Sequence, residues 1–422
     1  MEFLELNEQE YNEFAIHHPY KNFWQSVPMA NLRRELGWNV VYLGVKENNE
    51  IQAASLITYR DTHFGKTYFQ AMRGYLIDFR NKELLTFFHN HLIAYAKRKK
   101  CMYLKIDPYI FVQQRNGAGE LVENGFDNRD IVDCLSELGY QHQGYSVGYD
   151  DLSEPRWMYY RDLNVDQEAE LLKSFDQQTR WSINKTIKTG IQIKEVKYEE
   201  LNDYKKMMEH TSSRRGFIDH TFEYYQAMYK HFSKSDNFKI LYALLDLNIY
   251  EHNINESLKE EQANLVGINE VLETQPTSKK FTKKKKVCEE AIAGFQKKLK
   301  ESSNLRKKGD VITLAGSIFI PYGDEVMYLF SGAYDEYMHF NGPYALQWYM
   351  MKYALANGYK RYNFYGISGI FNESAEDYGI YEFKNGFKGE VGELIGDFKY
   401  IVDPKSYHLY EGLRKLKNKI KH

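Results

Sequence analysis

Residues 311–331, Val-Ile-Thr-Leu-Ala-Gly-Ser-Ile-Phe-Ile-Pro-Tyr-Gly-Asp-Glu-Val-Met-Tyr-Leu-Phe-Ser, decide the fold. Val311–Ile320 and Glu325–Ser331 are rich in β-branched and aromatic side chains. Pro321-Tyr322-Gly323-Asp324 between them is turn chemistry, so the stretch predicts two paired strands. An apolar helix follows over Pro343–Ala356, stopped by Asn357-Gly358, and then a strand over Tyr362–Tyr365. The same order stands earlier in the chain. Asn39–Val45, Gln52–Tyr59 and Thr67–Arg73 read as strands. Lys82–Lys99 reads as a helix with Leu84, Leu85, Phe88, Leu92, Ile93 and Tyr95 on one stripe. Met102–Ile106 reads as a strand ending at Asp107-Pro108. Strand pair, helix, strand therefore occurs twice, which predicts two α/β domains of similar plan joined near Asp150–Pro155.

The segment between the two halves of the second unit is different. From Ile249 to Lys308 aromatic residues nearly vanish. Ile254, Leu258, Glu261, Leu265, Ile268 and Leu272 alternate spacings of four and three, as do Cys288, Ile292, Phe295, Leu299, Ser302 and Arg306. Gln275-Pro276-Thr277-Ser278 separates the two runs. The first arm carries six Glu and one Lys, the second twelve Lys or Arg and three Glu. Opposite charge favours an antiparallel helical hairpin.

Composition sets the outer limits. A chain of 422 residues is long enough for two or three domains with a large core. Its 36 Tyr, 25 Phe and 5 Trp exclude disorder as the main state. A net charge of -2 excludes a protein basic throughout, so any nucleic-acid surface is local. Cys101, Cys134 and Cys288 lack metal-ligand spacing and fit a reducing compartment. Met1–Glu5 is no signal peptide, and no window approaches the roughly 18 apolar residues of a membrane span, so a cytoplasmic protein is expected.

Few local motifs carry chemistry. There is no zinc spacing, Walker loop, nucleophile elbow or His-Glu-x-x-His. Gln114-Arg115-Asn116-Gly117-Ala118-Gly119 fits the pattern with which acyl-CoA acetyltransferases cradle pyrophosphate, although no confident helix follows it. The run Lys279–Lys286 offers cations to RNA phosphates or is a solvated face. Leu409, Leu413, Leu416 and Ile420, interleaved with Arg414, Lys415, Lys417, Lys419 and Lys421, predict a basic amphipathic helix. It docks on its own protein or rests on an anionic membrane.

Read together, several segments resemble the FemA/FemB/FemX family of tRNA-dependent aminoacyltransferases. They are Phe23–Ser26, Tyr103–Tyr109, Phe340–Trp348, Arg361–Gly369 and Tyr381–Phe387, in that order and spacing. The resemblance implies an α/β (α+β) fold of two acetyltransferase-like (GNAT-type) domains with an inserted antiparallel coiled-coil hairpin. The expected boundaries are 1–152 for the first domain, 153–248 with 309–400 for the second, 249–308 for the hairpin and 401–422 for the basic C-terminal helix. It implies transfer of an amino acid from aminoacyl-tRNA to the stem-peptide amine of a lipid-linked or UDP-linked peptidoglycan precursor, at the inner membrane face. No metal or redox cofactor is implied.

The same resemblance assigns residues. Lys384, next to Phe383, serves the transfer step, and Asp107 orients the amine or takes its proton. Arg33 holds the precursor's phosphates, since a guanidinium fork suits them. Tyr224 is a phosphate hydrogen-bond donor, and His220, where relatives carry Arg, is expected to bind phosphate in a pH-dependent way near neutrality. Tyr328 and Phe330 match a strand lining the precursor channel, although Phe330 lacks a hydroxyl and core packing is the plainer reading for it. Self-association and contact with related transferases are further readings. The alternatives are an acyl-CoA-dependent N-acetyltransferase and a non-catalytic RNA-binding or scaffold protein of the same fold.

Overall fold

The structure, a computed structural model, describes residues 1–62, 65–150, 153–234 and 238–421, with side chains described as far as residue 414. Two mixed sheets organise it. The first has seven strands in the spatial order Glu2–Glu5, Asn39–Glu47, Glu50–Asp61, Thr67–Ala71, Cys101–Ile106, Phe398–Ile401 and Gln141–His142. The second has eight: Phe111–Gln114, Glu390–Leu394, Trp157–Asp162, Arg361–Ile367, Glu325–Ala333, Val311–Tyr322, Lys239–Asp246 and Gln192–Glu195.

Each sheet contains one parallel step among the described residues. In the first, Thr67–Ala71 runs parallel to Cys101–Ile106, and the helix Lys82–Arg98 makes the crossover. In the second, Glu325–Ala333 runs parallel to Arg361–Ile367, with the crossover through the helix Gly342–Ala356. A parallel step needs such a connection, because a tight turn can only reverse the chain. This repeated plan is the two-fold acetyltransferase-like architecture that the sequence predicts.

Both crossover helices form for local reasons. Asn81 caps the first by accepting from the Leu84 amide at 3.1 Å, and Leu84, Leu85, Phe88, Leu92 and Ile93 turn inward. The second has Pro343 in its first turn and buries Leu346, Trp348, Met350, Met351 and Ala354. A third core, rich in Met and aromatic residues, joins Phe23, Trp24, Met29 and Leu32 to Met158 and to the helices Leu201–Arg215 and Phe222–Phe232.

The sheets do not divide the chain at residue 152. Phe111–Gln114 crosses into the second sheet and pairs with Glu390–Leu394. Phe398–Ile401 returns to the first sheet, between Cys101–Ile106 and Gln141–His142. The units are clasped by an exchange of strands, which the expected boundaries 1–152 and 309–400 do not contain. Short strands whose partners lie hundreds of residues away leave no local signal.

The hairpin arms run over Leu247–Thr274 and Lys279–Leu305. Arg306 ties their root, bonding Glu251 at 2.7 Å, Asn248 at 2.9 Å and Asp310 at 2.7 Å. The C-terminal helix spans Pro404–Lys421; Tyr407 and Tyr410 pack on Tyr103, while Leu409 and Leu413 stay exposed. Leu416, Ile420, Lys415, Lys417, Lys419 and Lys421 lie outside the described side chains, and His422 lies outside the described residues. No helix among the described residues is long and apolar enough to cross a membrane.

Candidate functional site at the junction of the two sheets

Asp107 stands where the strand Cys101–Ile106 leaves the first sheet, and it is buried. It accepts from the Arg73 backbone amide at 2.9 Å, and its other oxygen lies 3.1 Å from the Arg73 guanidinium. Burial pushes its carboxyl up to about 6, with the Arg73 charge opposing the rise and Asp397 adding to it. Arg73 is itself 2% exposed and also donates to the Pro155 carbonyl at 2.9 Å. That bond links the first sheet to the strand entering the second.

The path continues through Glu154, which accepts the Tyr365 hydroxyl. Tyr365 has a left-handed backbone, φ +62°, and its amide donates to the Asn363 side chain at 2.7 Å. The pairing of Arg361–Ile367 with Trp157–Asp162 shifts register between Asn363 and Gly366. This bulge re-aims the Gly366 carbonyl, which accepts the Lys384 ammonium at 2.5 Å. Gly366 must be glycine here, because a Cβ would sit 2.6 Å from Pro155 Cγ.

Lys384 lies on the helix Tyr378–Asn385 and is 6% exposed. Thus it is neither on a strand nor solvated, as the plain alternative to a functional lysine would have it. Burial alone pushes its amine down to about 7. Phe383 leaves the same helix and packs, half-buried, on Tyr344 and Phe387, ring centres 4.9 and 5.6 Å away, at the edge of the core of the second crossover helix.

Arg33 comes from the helix Val27–Glu35, capped by Ser26. Its guanidinium sits 5.2 Å from the Trp24 ring and 5.3 Å from the Trp38 ring, with Met72 Sδ at 3.2 Å. Among the described residues it pairs with no carboxylate, so its charge is held by aromatic faces and left available. Trp24 in turn donates to the Tyr365 hydroxyl at 3.4 Å, which connects the Arg33 wall to the Lys384 wall.

His220 stacks on Tyr224 with ring centres 4.1 Å apart and meets Phe330 at 4.9 Å. The Tyr224 hydroxyl is buried without a hydrogen-bond partner among the described residues. Burial pushes His220 down to about 4; Asp219 opposes this, and Arg33 adds to it. His220 is therefore neutral near pH 7, which corrects the expectation of a pH-dependent phosphate contact in that range. Its ring contacts are the stack on Tyr224 and the tilted contact with Phe330.

The strand Glu325–Ala333 corrects a second expectation. Ile318 pairs with Phe330 and Phe319 with Tyr328, so Leu329 is an unpaired bulge residue. Tyr328 consequently turns into the core of the second crossover helix, stacked on Phe319, while Phe330 is half-buried against His220 and Tyr225. The two do not line one channel wall. The structure thus brings Asp107, Arg33, Tyr224, His220, Phe330 and Lys384 to the junction, leaves Tyr328 in the core and leaves Phe383 half-buried against that core. Sequence reasoning missed Arg73 and Glu154, since nothing in their local sequence marks a buried charge.

The loop Gln114–Gly119 is not a phosphate cradle. The Ala118 and Glu120 amides bond the Asn116 side chain at 2.9 and 3.0 Å, and the Gly119 amide bonds the Asn116 carbonyl at 3.0 Å. Arg115 is held by Glu393 at 2.6 Å, and no helix begins there. The Ala118, Gly119 and Glu120 amides and the Arg115 guanidinium are thus spent inside the protein, which is not the arrangement of a pyrophosphate cradle at a helix start.

Two halves of acetyltransferase plan, meeting at a buried amine, a buried carboxylate and an unpaired guanidinium, define a transferase of acyl groups. The FemAB family model matches residues 6–415, and the chain belongs to that family. It is 34% identical to aminoacyltransferase FemA of Staphylococcus epidermidis over 422 residues, covering 99% of this chain and 100% of that one. To aminoacyltransferase FemA of Staphylococcus aureus it is 32% identical, covering 100% of both chains. The crystal structure of FemX superposes with a TM-score of 0.80 at 25% identity, covering 97% of this chain and 99% of that one. Likeness of this extent makes the chain an aminoacyltransferase.

Proposed function

We propose that the protein transfers an amino acid from aminoacyl-tRNA to the stem-peptide amine of a peptidoglycan precursor, building the interpeptide bridge. The observation that carries the reading is the meeting of Lys384, the Asp107–Arg73 pair and Arg33 at one junction, in a chain that matches FemA aminoacyltransferases end to end.

The chemistry follows from these groups. The acceptor amine attacks the ester carbon, a tetrahedral oxyanion forms, and collapse expels the ribose hydroxyl of tRNA. Asp107, poised near 6, takes the proton that the attacking nitrogen sheds, and that proton leaves with the ribose oxygen as the tetrahedral intermediate collapses. Lys384, shielded from water, supplies positive charge where the oxyanion develops. Arg33 grips the precursor's phosphates beside the Tyr224 hydroxyl, and the Lys279–Lys286 tip meets tRNA phosphates. Neither step calls for a metal or a redox cofactor. Exposed Leu409 and Leu413 on the basic C-terminal helix hold the enzyme at the inner membrane face, next to a lipid-linked precursor.

The test is to incubate the protein with aminoacyl-tRNA and muropeptide precursor and follow the precursor by mass. A gain of one amino-acid residue, abolished by prior RNase treatment of the tRNA, is expected. No gain with any charged tRNA, or a gain that survives RNase, overturns the reading.

A further inference from the structure

Three carboxylates around the junction are paired with cations, and a fourth, Glu325, accepts hydrogen bonds from Tyr109 at 3.1 Å and Asn363 at 2.8 Å. Asp107 holds Arg73 at 3.1 Å, Asp397 holds Lys105 at 2.8 Å, and Glu393 holds Arg115 at 2.6 Å and also Arg156. Glu154 has no such partner among the described residues. Among the described residues its one hydrogen bond is from the Tyr365 hydroxyl, which itself accepts from Trp24 Nε1 at 3.4 Å. A carboxylate has about four lone-pair sites, so most of those on Glu154 remain open.

The surroundings explain why a charge is kept there. Glu154 adjoins Pro155, whose carbonyl is bonded by Arg73, and its partner Tyr365 adjoins Gly366, whose carbonyl holds Lys384. The buried Tyr224 hydroxyl, which also lacks a hydrogen-bond partner among the described residues, senses the charges of both Arg33 and Glu154. The charges of Arg33 and Glu154 thus both reach the unfilled Tyr224 hydroxyl, and Glu154 also feels the Arg73 guanidinium without forming an ion pair with it. A half-buried carboxylate with open lone pairs attracts a ligand cation more strongly than one in open water does.

We propose that Glu154 is an ammonium subsite: Tyr365 fixes one carboxylate oxygen, and the remaining lone pairs receive a primary ammonium group of the substrate. The proposal rests on the transferase reading for the identity of that group. Two sources carry the same chemistry, the stem-peptide amine of the acceptor and the α-ammonium of the aminoacyl ester. Either would be held by a carboxylate bonded to Tyr365, the residue that precedes Gly366 in the chain.

Glu154→Gln removes the charge and keeps the bond to Tyr365. Binding is measured for four ligands: precursor with a free stem amine, precursor with that amine acetylated, aminoacyl-tRNA, and N-acetylaminoacyl-tRNA. Glu154→Gln is expected to weaken one free-amine ligand about tenfold or more and to leave its acetylated form unaffected. The affected pair identifies the source. Equal affinities of wild type and Glu154→Gln for all four, or equal losses for free and acetylated forms, overturn the subsite. If Glu154→Gln does not fold, Glu154→Asp, which withdraws the carboxylate by one methylene, reads the same difference. A wild-type protein that binds neither precursor nor tRNA sinks the transferase reading instead. The subsite is then read by thermal shift with n-pentylammonium chloride. A stabilisation lost in Glu154→Gln sustains it, and identical curves overturn it.

Discussion

The ammonium of Lys384 donates to the Gly366 carbonyl at 2.5 Å, and no carboxylate among the described residues stands beside it. A lysine so buried is a burden on the fold. The unfolded chain holds its proton up to about 10.5, while the folded protein releases it near 7. Between those values the unfolded state binds more protons, so stability rises with pH. Lys384→Met is expected to raise Tm at pH 7, with a gain that shrinks as pH approaches 10. Transfer should fall about 10²- to 10³-fold, as for loss of one group facing a developing oxyanion. A gain in Tm that is the same at pH 7 and pH 10 would show that the amine is not desolvated.

Asp107 titrates the other way. Burial raises its folded value to about 6 from the ordinary 3.8, so the folded state binds the extra proton and this group's contribution to stability falls as pH rises through that window. If the ionised form accepts the proton, kcat should climb with an apparent pKa near 6. Asp107→Asn should abolish that limb and lower kcat about 10²- to 10⁴-fold. Arg73→Met leaves a buried carboxylate alone and is expected to cost about 3–5 kcal/mol in urea unfolding.

Arg33 stacks between two indoles, an arrangement that a planar guanidinium fills and an ammonium does not. Arg33→Lys keeps the charge but loses the fork and the stacking. It is expected to raise KM for the precursor about tenfold with kcat nearly unchanged, because phosphate binding is shared by ground and transition states. Arg33→Ala should be worse in KM by a similar further factor. Precursor kinetics at fixed aminoacyl-tRNA decide this, and a drop in kcat alone would place Arg33 elsewhere.

Both crossover helices and the hairpin were legible because period-3.6 stripes and charge blocks are local. The exchange of Phe111–Gln114 for Phe398–Ile401 was not, since each is a four-residue strand whose partner is far off in sequence. In the site, the family resemblance marked Arg33, Asp107 and Lys384, but not the electrostatics of burial. His220 looks like a titrating group in the sequence and is neutralised by its surroundings. Tyr328 and Phe330 look like neighbours on one face, and a single bulge at Leu329 separates them. Accordingly, Tyr328→Ala should cost about 3–5 kcal/mol of stability, whereas Phe330→Ala should act mainly through KM. Urea unfolding and precursor kinetics separate the two.

The hairpin tip carries charge that the neighbouring arm does not neutralise. Lys285 and Lys286 lie 4.0 and 3.9 Å from Glu289 and Glu290 of their own arm, and Lys279, Lys280, Lys283 and Lys284 pair with no carboxylate among the described residues. Arg306–Glu251, the ion pair that joins the two arms among the described residues, sits at the root. Cations left free at the end of a rigid arm suit a phosphate backbone. Each phosphate that such a cation ceases to neutralise should flatten the slope of log K against log salt by about 0.9 for a duplex. Reversing Lys283, Lys284, Lys285 and Lys286 to Glu should therefore weaken tRNA binding and lower that slope, while leaving Tm nearly unchanged because none of the four is buried. The measurement is tRNA affinity between about 50 and 200 mM salt. Equal slopes for the two proteins would make the hairpin a spacer or an oligomer contact and move the tRNA surface to the junction itself.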